Sequence, residues 1–96
     1  MVKPMFAVYD SVSCVYDRPF PAMNDADAIR SFTSIAMNKD TVIGQHPEHF
    51  KLFRIGKYND STGNLKGEGP IHIASAHEIV SKVTNFDVAA SAGGTE

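Results

Sequence analysis

The chain has 96 residues, 43% of them hydrophobic and 21% charged, which gives room for one hydrophobic core but not two and excludes the composition of a disordered chain. Nine Lys and Arg against eleven Asp and Glu leave a net charge of −2, so no global attraction to nucleic acid or to an anionic membrane exists and any nucleic-acid contact has to be local. A single cysteine, Cys14, excludes an intrachain disulfide and a thiolate metal site, while no apolar run approaches the roughly 18 residues of a membrane helix and no signal-peptide core opens the chain, so a cytoplasmic protein without a membrane partner is expected.

Met5 to Asp10 is a short apolar run, and Cys14-Val15-Tyr16 resumes it after a polar interruption, which predicts a hairpin or bent strand pair. Arg18-Pro19-Phe20-Pro21 should end strand pairing, because proline has no N–H to give a ladder. Asn24 or Asp25 then caps a helix running to about Asn38, with Asp25 and Asp27 in the first turn, where the helix dipole favours negative charge. Within it Ile29, Phe32, Ile35 and Ala36 recur at helical spacing and predict one apolar stripe packed on a sheet.

Residues 39 to 49, punctuated by Gly44 and Pro47, read as a loop. Phe50 to Tyr58 is the strongest strand. Regular alternation would put Phe50, Leu52, Arg54 and Tyr58 on one face and Lys51, Phe53, Ile55 and Lys57 on the other. Asn59 to Asn64 is a turn in which Gly63 should take a positive φ, and the chain returns through Leu65-Lys66. Ile71 to Ala74 predicts a further short strand, followed by a brief helix from Ala76 to about Val83 that Ser75 can cap. Residues 1–86 are thus expected to form a single α+β domain, a small mainly antiparallel sheet with one amphipathic helix on a face and a short C-terminal helix. Residues 87–96, small and polar, are expected to form a mobile tail.

Catalytic chemistry has little to stand on. Cys14 has no evident histidine partner, no serine lies in a nucleophile-elbow pattern, and Asp25 and Asp27 are explained by the helix N-terminus. Gly67-Glu68-Gly69 is not a phosphate cradle. A non-enzymatic protein without cofactor is the expectation. His46 and His49, with His72 and His77, could in principle ligate zinc, but a loop containing Pro47 does not hold two ligands on one face as a helix does. No metal is expected, and the protein should fold without zinc.

The aromatic and basic residues of the long strand are the better lead. Lys51, Arg54, Lys57 and Lys66 face only Asp60 over residues 51–66, a local excess of +3. Lys51, Phe53 and Lys57 on one face, or Arg54 and Tyr58 on the other, would combine a stacking ring with phosphate-contacting charge, as sheet platforms for single strands do. Lys51, Phe53, Arg54, Lys57 and Tyr58 are therefore the candidate nucleic-acid-binding residues, though residues such as Phe53 and Ile55 more often serve as core, with Lys51 and Lys57 as ordinary solvent-facing charges at the strand ends.

Taken in order, Val8-Tyr9-Asp10, Arg18-Pro19-Phe20, Asp25 to Phe32, His46-Pro47-Glu48, Phe50 to Gly56 and Asp60-Ser61-Thr62-Gly63 resemble the small nonstructural protein of gokushoviruses, single-stranded DNA phages of the microvirus group. The resemblance spans about residues 5 to 80. It implies a nonstructural bacteriophage protein in the cytoplasm of the infected bacterium, often labelled DNA-binding and associated with single-stranded genome synthesis or packaging. It implies no catalytic residues. The family pattern more often reads His-Pro-Glu-Asp where this chain has His-Pro-Glu-His, which argues against a ligand role for His49. The expected partner is single-stranded DNA or a replication complex containing it, with a viral or host replication or assembly protein as the alternative. Exposed sheet edges make a homodimer plausible.

Overall fold

A computed structural model describes residues 1–82, so both the expected domain end at residue 86 and the expected tail, 87–96, lie outside the described residues. Among the described residues five strands form one sheet: β1 (Val2–Asp10), β2 (Val15–Tyr16), β3 (Phe20–Pro21), β4 (Phe50–Asn59) and β5 (Leu65–Ser75). The order is β2-β1-β4-β5, with β3 also on β1, and every pairing is antiparallel. Helix α1 (Asp25–Ala36), the short α2 (Val42–Gln45) and a 3-10 turn (Pro47–His49) lie between β3 and β4. A third helix, α3, covers residues 76–82. This is the α+β arrangement that the sequence predicts.

The first hairpin forms because Asp10 can close a turn with its own side chain. Its carboxylate accepts from the Val12 N–H at 2.9 Å, and its carbonyl accepts from the Cys14 N–H at 2.8 Å. The Val12 amide, helped by Ser13, holds the Asp10 carboxyl below the usual carboxylate range. Cys14 is not a strand residue as predicted: it ends the turn at φ 59°, and β2 begins at Val15. Nor do the prolines end pairing, since Phe20 and Pro21 pair with Phe6 and Met5. They occupy the sheet edge, where a missing N–H is tolerated, and the Phe20 ring packs 6.0 Å from that of Phe6.

Asn24 caps α1 by accepting from the Asp27 N–H at 2.8 Å. The buried stripe is Ala28, Phe32 and Ala36, one row at i, i+4 spacing, with Ile29 half-buried beside it. Ile35, expected in the stripe, is 41% exposed. Two alanines flanking Phe32 let the helix approach the sheet, and this shifts the buried face by one position from where the larger residues point. The rest of the core is Phe6, Phe50, Leu52 and Ala76, with Ile79 and Val80 of α3 packed against it.

Residues 39–49 are more ordered than a loop. Thr41 caps α2 by accepting from the Gly44 N–H at 3.0 Å, and His49 N–H closes the 3-10 turn on the His46 carbonyl at 3.0 Å. The turn at 59–64 is as expected, with Gly63 at φ 76°. Leu65 and Ile71 to Ala74, read as separate pieces, belong to one eleven-residue strand.

The register of β4 breaks near its centre. Phe6 pairs with Arg54, whereas Met5 pairs with Gly56, so Ile55 is the extra residue of a bulge on the β1 side, and pairing with β5 shifts over the same residues. Gly56 is buried there, and a Cβ on it would collide with the Lys66 carbonyl oxygen of β5. Gly56→Ala should therefore destabilise the domain by about 1–3 kcal/mol, the range for overpacking a close contact. A lowered midpoint of urea denaturation with unchanged slope checks it.

Candidate nucleic-acid interface

Alternation along β1 and β4 divides the sheet into a face covered by the helices and a face opposite. Phe6, Phe50 and Leu52 point into the core beneath α1. Their neighbours Tyr9, Lys51 and Phe53 point the other way, Tyr9 and Lys51 being direct cross-strand partners. On this outer face Tyr9 lies 4.7 Å from Tyr16 on β2, and both meet the Phe53 ring edge-on, at 6.2 and 5.6 Å. His72, the β5 partner of Phe53, extends the cluster at 5.5 Å. Four rings from four adjacent strands thus form one continuous band across the sheet.

The rings are held differently. Tyr9 and Phe53 are half-buried, while Tyr16 and His72 are exposed. His72 Nε2 shares a 2.9 Å hydrogen bond with Ser75 Oγ. The Cys14 thiol beside Tyr9, together with partial burial, holds the Tyr9 phenol above the usual tyrosine range, so it stays neutral and able to donate. Tyr16 and His72, the exposed members at the two ends of the band, offer ring surface on which planar groups can stack.

The predicted site residues do not all meet on this face. Lys51 is exposed and stands next to Tyr9, and Phe53 is the centre of the band. Arg54 points to the helix side, where its Nη1 donates to both Asp25 oxygens at 2.9 and 2.7 Å and its Nε donates to Glu68 at 3.3 Å. Those acids raise its already high pKa, Asp25 most. Arg54 ties the N-terminus of α1 to the sheet. Arg54→Ala should lower the melting temperature by removing this tie, and thermal melting curves check it.

Lys57 was expected to share the Phe53 face. Beyond the bulge the parity reverses, so Lys57 pairs with Pro4 and Lys66 and lines a cleft with Arg54, Asp25 and Glu68 on the helix side. Tyr58 moves the opposite way, to the outer face, where it pairs with Lys3 and Leu65. Lys3 in turn lies 3.4 Å from Asp60. The local +3 of the sequence is therefore dispersed over two faces, and aromatic surface rather than charge distinguishes the outer one.

Sequence reasoning missed Tyr9, Tyr16 and His72. Each carries a local signal: Tyr9 alternates with core-facing Val8, Tyr16 follows Val15 in the returning strand, and His72 stands between two isoleucines. What the sequence does not carry is the register that lines these positions up with Phe53.

The pattern of the Phage ORF5 protein family matches residues 3–79, from β1 into α3. The chain belongs to the Phage ORF5 protein family. No curated protein matches it, and no solved structure does. The matched span contains every residue of the aromatic band in this ORF5 protein, from Tyr9 to His72. Among the described residues no helix is long and apolar enough to cross a membrane.

Proposed function

We propose that this ORF5 protein is a non-enzymatic phage accessory protein that binds single-stranded DNA on the outer sheet face, as the gokushovirus resemblance implies. The observation that carries the reading is the band Tyr16–Tyr9–Phe53–His72, open on the side away from the helices. Unpaired bases expose flat π-faces that stack on such rings without regard to sequence, whereas duplex bases are already stacked on one another. Lys51 stands where it can contact a phosphate, and Tyr58 and Lys3 continue the same face.

With so few cations on the face, stacking rather than charge supplies most of the affinity. Each neutralised phosphate contributes a slope of about −0.7 to log affinity against log salt for single strands, so one or two contacts give a shallow dependence. Phage replication or packaging in the host cytoplasm supplies such strands. The net charge of −2 favours a second reading, in which the same aromatic face docks a viral or host replication or assembly protein.

Fluorescence anisotropy with labelled single- and double-stranded oligonucleotides across salt separates the two. Saturable binding to the single strand, weak on duplex and falling shallowly with salt, is the expected result. No binding to single strands at low ionic strength would leave the protein-docking reading in its place.

A further inference from the structure

Outside the aromatic face, the 3-10 turn before β4 brings together three side chains with metal-ligating atoms. We propose that His46, Glu48 and His49 form a solvent-open site for a borderline divalent metal ion, with Zn²⁺ the best-fitting class. In a 3-10 helix, residues three apart eclipse one another. His46 precedes the turn and His49 ends it, and their rings accordingly stack at 5.6 Å with 17° between planes. This is the same-face placement that a plain loop around Pro47 would not provide.

The Glu48 carboxylate reaches both rings. Its Oε1 lies 4.0 Å from His46 Nδ1 and 3.7 Å from His49 Nε2, and the ligand atoms of all three residues fall within 4.8 Å of one another. An ion with bonds of about 2.0–2.1 Å in tetrahedral geometry sets its ligand atoms roughly 3.3–3.5 Å apart. The carboxylate–imidazole distances thus need to shorten by only about half an ångström, within reach of side-chain rotation.

The backbone beneath the ligands is fixed by independent contacts. His46 N–H donates to the Val42 carbonyl at 3.0 Å, and Pro47 opens the turn with its φ already set. The His49 carbonyl accepts from both the N–H and the hydroxyl of Ser11, at 2.9 and 3.1 Å. Two imidazoles and one carboxylate suit zinc, copper or nickel better than calcium or magnesium, which prefer all-oxygen sites. The side chains are 56%, 53% and 38% exposed for His46, Glu48 and His49, so water completes the coordination and the ion exchanges readily. The three side chains are not themselves part of the hydrophobic core, so metal adds stability by mass action to a fold that forms without it.

Isothermal titration of the chelator-treated full-length chain with ZnCl₂ tests the site. One-to-one binding is expected in the wild type, lost in His46→Ala/His49→Ala and retained in His77→Ala. Imidazole ¹⁵N resonances of His46 and His49 in the wild-type protein should shift together as zinc is added, a readout independent of how the variants fold. Absence of zinc binding by the wild type, undiminished binding by the double variant, or shifts confined to other histidines would overturn the proposal.

Discussion

Phe32→Ala should destabilise the domain by about 3–5 kcal/mol, the usual cost of truncating a buried aromatic side chain. Phe32 is 1% exposed and lies between Ala28 and Ala36, so it is the one large side chain that α1 buries fully in the cluster with Phe6 and Leu52, with Ile29 only half-buried beside it. Neighbouring alanines have no rotamers with which to fill the space, and the cavity persists. Total stabilities of roughly 5–15 kcal/mol make this a large share, enough to leave a measurable unfolded population. Ile35→Ala, by contrast, removes a side chain 41% exposed and should cost less than about 1 kcal/mol. Equilibrium urea denaturation of the two variants reads the difference, and equal losses would mean that the buried face of α1 has been misassigned.

Phe53→Ala should weaken single-strand binding about 5- to 150-fold, corresponding to about 1–3 kcal/mol for one stacking platform. Phe53 touches Tyr9, Tyr16 and His72 alike, so its loss removes one stacking surface and unsupports three more. Its cost to stability should be modest, because it is only half-buried on the face that no helix covers. Lys51→Ala, which on the proposed reading removes a single phosphate contact, should weaken binding less and flatten the salt dependence by about one contact's slope. Anisotropy titrations of both variants at two salt concentrations separate stacking from charge.

How much of this could be read from the sequence follows from which interactions are local. The α1 start is legible because Asn24 and Asp27 sit three residues apart, and the 59–64 turn because Gly63 takes a positive φ with no Cβ penalty. In the buried stripe Phe32 and Ala36 are legible from their spacing, whereas hydrophobicity points to Ile35 where packing against the sheet selects the small Ala28. The structure of residues 39–49 depends on Thr41 capping α2 and on Ser11, 38 residues distant from His49, holding the turn.

The candidate site was only partly readable, for the same reason. Lys51 and Phe53 lie where alternation puts them, but Lys57 and Tyr58 exchange faces because Ile55 bulges, and a bulge is a property of two strands rather than one. Arg54 reads as a free cation until Asp25, 29 residues earlier, is brought against it. Tyr9, Tyr16 and His72 join Phe53 only through the β2-β1-β4-β5 order.

Aromatic ¹H–¹³C spectra recorded while the protein is titrated with an oligothymidine strand test the central claim most directly. Tyr9, Tyr16, Phe53 and His72 are expected to shift together and saturably while the core rings Phe6 and Phe32 stay in place. Shifts confined to the helix side around Arg54 and Lys57, or no shifts at low ionic strength, would contradict it.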